Sequence, residues 1–406
     1  MSDHAPNARS SLTIIFVTVF VDLLGFGIVL PLLPYYAREF HASGTTAGGL
    51  IAVYSAMQFV FAPLWGRWSD RVGRRPAILV SLGGSTLSYL LFACADGVGL
   101  LFVSRVLAGV AGANIAVAQA FIADRTTERE RARGMGLIGA AFGLGFVFGP
   151  AIGGVLAHYG HRAPGYAAAL ICGLNLLSAY VRLPESLPPE RRREQRALTH
   201  PSAQLLVALR SPKLAPLLLM FAAIVFAFST METTLSLLCA AAYKLSATHI
   251  YWLFGYMGVM TTIMQGGLIG RLSRHVDEQR LAFIGAVLLA VGLAGTPFSP
   301  PVVPLLFSLG AIAFGQGIAS PVLSSLISKA GAEQQQGEVL GVSQSLGSLS
   351  RILGPLWGGA LFDLGGPAGP YVSTAVLLVL VGIVTVSLIP RSVVAAPDLE
   401  ADRLHV

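Results

Sequence analysis

Gly66-Arg67-Trp68-Ser69-Asp70-Arg71-Val72-Gly73-Arg74-Arg75-Pro76 closes one apolar run and precedes another, and its opening returns as Gly270-Arg271-Leu272-Ser273-Arg274-His275, 204 residues later. A second pair agrees: Gly149-Pro150-Ala151-Ile152-Gly153-Gly154 reappears as Gly354-Pro355-Leu356-Trp357-Gly358-Gly359 at an offset of 205. Both offsets are near half of the 406 residues. The chain therefore reads as two repeated halves, a transporter plan in which the substrate is held near the midplane between them.

The residues around these anchors are those of a membrane protein. Hydrophobic residues make up 54% and charged residues 12% of the chain, and the mean hydropathy is +0.70. Soluble domains average about 45–50% apolar and about 25% charged. The 46 glycines suit closely packed apolar helices. Apolar runs long enough to cross about 30 Å of hydrocarbon fall at 12–34, 46–66, 77–96, 98–121, 134–157 and 165–183, then at 213–238, 248–271, 281–298, 302–328, 336–361 and 370–390. The expected fold is an all-α membrane protein with twelve transmembrane helices, in two six-helix bundles related by pseudo-two-fold symmetry. Its parts would be a tail over 1–11, bundles over 12–183 and 212–390, a Pro- and Arg-rich linker over 184–211 and a tail over 391–406. The first run is long and followed by many others, so it reads as a retained span and not a cleaved leader.

Arginine placement predicts the orientation, because positive residues near short loops resist translocation. With both termini in the cytoplasm, the inside receives Arg67, Arg71, Arg74, Arg75, Arg125, Arg129, Arg131, Arg133, Arg191 to Arg193, Arg196, Arg271, Arg274 and Arg280; the outside keeps Arg38, Arg162 and Lys244. The net charge of +7 then reflects topology and an anionic inner leaflet, with no nucleic-acid partner implied. Cys94, Cys172 and Cys239 stand singly in apolar stretches, which suggests neither a metal site nor a disulfide framework.

The residues 66–76 resemble the second-to-third-span signature of the major facilitator superfamily, Arg105-Val-Leu-Ala-Gly109 resembles its intramembrane arginine motif, and Gly145-Phe-Val-Phe-Gly149-Pro150-Ala-Ile-Gly153-Gly154 is similar to the fifth-span signature of its drug/proton antiporters. Asp22-Leu-Leu-Gly-Phe-Gly-Ile-Val-Leu-Pro-Leu-Leu-Pro34, Arg38-Glu39-Phe40 and Tyr54 to Pro63 look like the opening of bacterial tetracycline/proton antiporters. The resemblance implies the major facilitator fold, an inner-membrane location and a proton gradient as the driving force, without a cofactor. Two departures bear on the cargo: Ser88 precedes Tyr89 where those antiporters carry an aspartate, and Thr261 replaces their eighth-span histidine.

Four charged side chains fall deep within the runs: Asp22, Arg105, Glu232 and Arg351. Each costs about 2.5–3.5 kcal/mol at a helix centre, which marks them as functional candidates. Apolar surroundings disfavour a charged carboxylate, so Asp22 and Glu232 are candidate proton carriers, with Arg105 easing their deprotonation or attracting an anion. Arg351 is equally compatible with packing. Polar and aromatic candidates for the substrate cavity, besides Asp22 and Glu232, are Tyr54, Gln58, Asn114, Gln119, Phe226, Gln265, Phe314, Gln316, Gln344 and Trp357. A cytoplasmic gate is expected from Gly66, Asp70, Arg71, Gly73, Arg74, Arg75 and Asp124, with Asp70 at the N-terminus of a facing helix. The expected function is proton-driven export of an amphiphilic, drug-like small molecule by a monomer that alternates access; uptake or facilitated transport of a nutrient is the alternative. Enzyme catalysis is not expected, since the histidines form no catalytic constellation.

Overall fold

The computed structural model describes residues 8–126, 128–160, 162–187, 211–299, 303–330 and 336–388. The predicted tails and most of the linker, with Arg191 to Arg193 and Arg196, lie outside them, as do the side chains of Arg129, Arg131 and Arg133. Among the described residues the regular structure is helical throughout. In the first half α1 (Ala8–Val29), α2 (Leu33–Glu39), α3 (Gly44–Val72), α4 (Arg74–Ala93), α5 (Val98–Ala111), α6 (Ile115–Arg125), α7 (Glu128–Leu156) and α8 (Ala163–Arg182) make six spans. In the second, α9 (Leu214–Ala241), α10 (Ala247–Ile263), α11 (Ile269–Leu272), α12 (Glu278–Gly295), α13 (Val303–Ala330), α14 (Gln336–Gly365) and α15 (Gly369–Leu388) make six more.

Three spans are broken, each for a local reason. Pro31 and Pro34 sit where α1 passes through a 3-10 turn, Leu30–Leu32, into α2; a proline lacks the N–H an α-helix needs there. Gly112-Ala113-Asn114 forms a 3-10 turn between α5 and α6. Met264–Leu268, with two adjacent glycines, is a π-helical turn between α10 and α11, a device that often marks functional sites. Eight spans are by themselves long and apolar enough to cross a membrane; the fifth, eighth, eleventh and twelfth complete the set.

Each half buries its own apolar core. One is built from residues such as Ile28, Leu50, Leu82 and Phe121, the other from residues such as Leu218, Leu235, Leu289 and Leu309. The halves meet where α3 packs on α14 and α7 on α10. Small residues make this approach possible: a Cβ on Gly149 would lie 2.6 Å from the carbonyl carbon of Gly27, and one on Gly258 would lie 2.7 Å from the Phe146 carbonyl oxygen. The fifth-span glycines thus let α7 press on α1 and α10 together.

One end of the molecule carries the 66–76 turn and the chain ends of both halves; the opposite, far end is sealed. There the Tyr251 hydroxyl donates to the Ile28 carbonyl at 2.8 Å, the Ser236 hydroxyl donates to the Pro31 carbonyl at 2.9 Å, and Asp363 receives the amides of Gly44 and Thr45 at 2.7 and 2.8 Å. On α14, Leu349, Leu353 and Leu356 are 44, 46 and 38% exposed, which marks the lipid side. Gln344 lies about half a turn of the wheel away and is exposed as well. The inner face of α14 is therefore open toward the terminal end.

Candidate functional site

Asp22 stands near the middle of the first span. Asn114 Nδ2 lies 3.5 Å from its Oδ2 and Cys172 Sγ lies 3.7 Å from its Oδ1, with the Ser85 side chain nearby. The 3-10 turn at Gly112–Asn114 delivers Asn114 to this point, where its amide also donates to the Ser81 hydroxyl at 2.5 Å. Among the described residues the carboxylate has neutral donors and no ion-pair partner. Such neighbours can be kept whether the carboxyl is charged or protonated.

Arg105 is 1% exposed and pairs with no carboxylate; its Nε donates to the Ser104 hydroxyl at 3.3 Å, and its guanidinium lies 5.3 Å from the centre of the Phe92 ring. Tyr54 and Tyr89 each lie within electrostatic reach of both Asp22 and Arg105, so the two phenols are neighbours of both the acid and the arginine. Tyr54 stacks on Phe26 with centroids 5.1 Å apart, and its hydroxyl accepts a hydrogen bond of 2.9 Å from Gln58, whose amide also reaches the Gly112 carbonyl. Asp22, Arg105, Tyr54, Gln58 and Asn114, singled out from the sequence, thus form one cluster. Ser81, Ser85, Tyr89 and Cys172 complete it and carry no signal of their own.

In the second half Glu232 and Arg351 lie within electrostatic reach of each other, and Arg351 also reaches Tyr54 across the divide between halves. Phe226 lies one to two turns before Glu232 on α9, with its ring 6.4 Å from Trp357. Trp357 itself is a correction. It is 47% exposed and its indole N–H donates to the Ser373 hydroxyl of α15 at 3.1 Å. Six residues beyond Arg351, it has rotated off the inner face. Phe314 packs against the second-half core, and the Gln316 Oε1 is buried without a hydrogen-bond partner. Gln119, Gln265 and Gln344 are exposed and stand apart from the charged cluster.

The 66–76 turn forms a compact network. Gly73 adopts φ of +108° between α3 and α4, a conformation that favours glycine. Arg74, 7% exposed, contacts Asp70 at 2.6 Å, Asp124 at 3.2 Å and the Ser69 hydroxyl at 2.5 Å; Ser69 in turn donates to the Gly66 carbonyl. Arg75 donates to the Tyr180 carbonyl at 2.6 Å and lies over its ring. Glu185, in the first residues of the predicted linker, receives the amides of Arg74 and Arg75 and so caps α4. Asp70 pairs within its own half and not with a facing helix of the second, which corrects the expected docking for this conformation. Arg71 is exposed.

Two helical halves, each with buried charges within its apolar spans, have the build of a multi-pass membrane transporter. The chain belongs to the Major Facilitator Superfamily, whose family model matches residues 15–355 and, overlapping these, 266–404. It is 34% identical over 385 residues to the tetracycline resistance protein, class E, of Escherichia coli, covering 89% of this chain and 93% of that one. It is 32% identical over 366 residues to multidrug resistance protein 2 of Bacillus subtilis (strain 168), covering 88% and 90%. Among solved structures, that of the human organic anion transporter MFSD10 (TETRAN) matches with a TM-score of 0.68 at 27% identity, over 94% of this chain and 100% of that one.

Proposed function

We propose that the chain is a proton-coupled exporter of an amphiphilic, drug-like compound, working as a monomer in the inner membrane with both termini in the cytoplasm. The observation that carries the reading is the setting of Asp22: a mid-membrane carboxylate held by neutral donors, within electrostatic reach of Tyr54 and Tyr89, which both also reach Arg105. Proton binding there changes the charge balance at the divide between halves, where a bistable packing is biased by small differences. Glu232 is the second proton site in this scheme. The relatives named for tetracycline and multidrug resistance support export of an amphiphile, a tetracycline-like one included; Ser88 and Thr261, where the resemblance implies an acid and a histidine, bear on whether a tetracycline–magnesium chelate is carried, and tetracycline is therefore in the test panel.

The terminal end is then the cytoplasmic face and the conformation is open to the cytoplasm. In the outward-facing state Asp70 would leave Arg74 for the second half, closing that face. The test is a pH-sensitive dye inside proteoliposomes under a proton gradient, with tetracycline, cationic amphiphiles and fluoroquinolone-like compounds added in turn. Substrate-triggered proton flux that disappears in Asp22→Asn supports the reading. Substrate movement independent of the gradient would favour facilitated uptake instead, and proton-driven export by Asp22→Asn would remove Asp22 from the coupling.

A further inference from the structure

Arg351 has a geometry that a packing residue does not need. On α14 it lies on the face opposite the lipid-exposed Leu349, Leu353 and Leu356. The register between α14 and α3 fixes what it faces. Gly44 packs on the Gly359 carbonyl and Gly48 on the Pro355 carbonyl, so each step of four along α3 matches a step of four back along α14. The next step brings Ala52 opposite Arg351, two residues before Tyr54. Electrostatic reach between Arg351 and Tyr54 agrees with that register.

The guanidinium is held but not satisfied. Gly347 and Gly354 on either side of it bring α14 close to α9, near Phe221 and the Phe226 carbonyl. The side chain folds back along α14, with Nη1 3.6 Å from where a Cβ on Gly347 would stand. Its described hydrogen bond is one, from Nη2 to the Ser348 hydroxyl at 3.2 Å. Five N–H donors are available on a guanidinium. Glu232 is within electrostatic reach but outside the 4.0 Å of an ion pair. A permanent cation with unused donors in the membrane interior favours an anion that can approach closely. The exposed Gln344, about two turns toward the terminal end on the same face, marks the way in.

We propose that Arg351 is a specificity-determining residue of the transport site, whose guanidinium receives a carboxylate or enolate oxygen of the cargo in place of Glu232. The cargo is then an anionic or zwitterionic amphiphile and not a purely cationic one. This rests on the reading of the divide between halves as the path of an amphiphile, and is independent of proton coupling.

The experiment measures binding without a gradient, on the full-length protein in nanodiscs, using fluorescent 11-(dansylamino)undecanoic acid and its methyl ester. The acid binds wild type about tenfold more tightly than the ester, as a charge-assisted hydrogen bond against a neutral one provides. Arg351→Gln brings the acid down to the ester, Arg351→Lys retains part of the preference, and Glu232→Gln widens the preference for acid over ester several-fold. Equal affinity of wild type for acid and ester overturns the proposal, as does an acid preference that survives in Arg351→Gln. If Arg351→Gln does not fold, the Lys and Glu232→Gln variants decide: an acid preference unaltered in both overturns it. Binding of neither compound to wild type removes the amphiphile path as well, whereas loss of proton flux with acid preference intact removes the coupling alone.

Discussion

The Asp22 cluster assigns unequal weights to its neighbours. Asn114 is a fixed amide donor that the Ser81 hydroxyl also engages, and a donor to a charged group contributes about 1.5–3 kcal/mol. Cys172 supplies a weak thiol donor at 3.7 Å. Initial transport rates in proteoliposomes should therefore fall about tenfold in Asn114→Ala and stay within about twofold in Cys172→Ala; equal losses would mean that the cavity and not the donor matters. Asp22, Arg105 and Glu232 were legible in the sequence because a charge in an apolar run is costly and stands out. Ser81, Ser85 and Cys172 were not, because small polar residues are common in spans and no one-dimensional pattern tells which of them meet. Trp357 shows the converse: an aromatic beside a glycine motif suggested a cavity wall, but helical rotation carried it to Ser373.

At the scale of helices, the fifth-span signature is explained by contact. Its glycines place α7 backbone against α1 backbone, and Gly153 receives the ring of Tyr251 from the other half. Gly149→Val puts a branched side chain where even a Cβ would stand 2.6 Å from the Gly27 carbonyl carbon. Overpacking of this kind costs about 1–3 kcal/mol, so thermal unfolding in detergent should shift down by several degrees, while Gly66→Ala, with open space around the position, should leave it unchanged. The twelve helices were readable because each run had to be long and apolar. The breaks at Leu30–Leu32 and Gly112–Asn114 were marked only by proline or glycine, and the π turn at Met264–Leu268 only by Gly266-Gly267. Such residues tolerate a break without specifying its kind.

The whole molecule is held closed at one end by few contacts. Ser43 takes the Thr46 amide at 3.1 Å, and Asp363 takes the amides of Gly44 and Thr45 with the Thr45 hydroxyl at 2.7 Å, so the first three amides of α3 are all engaged, two of them across the two halves. That seal was invisible in the sequence, where nothing connects Asp363 to position 44. Removing a helix-capping side chain costs about 1 kcal/mol. Asp363→Ala should therefore raise the share of molecules open at the far end several-fold, read as a longer distance between two spin labels at exposed far-end positions, one in each half. Asp363 stands at the outer edge of its span; burial raises its pKa, but the hydrogen bonds from Thr45 and Gly44 outweigh that and hold it below the ordinary value. A depressed pKa means the contact is at full strength above the ordinary carboxylate range of about 3.9 and is lost only as pH falls through the lowered value. That distance in wild type should accordingly be unchanged from neutrality down to about pH 4 and lengthen below it.

The capped start of α3 differs in kind from the Arg74 cluster at the other end. Arg74 with Asp70 and Asp124 is an attraction between full charges, and dissolved ions weaken it over a screening distance of about 8 Å at 0.15 M salt. The contact of Asp363 is directional bonding to peptide groups, which electrolyte weakens far less. In the proposed orientation the door that faces the outside world is thus fastened by the latch that brine disturbs least, while the salt-sensitive cluster lies within one half, on the side where the cell regulates its own ionic strength.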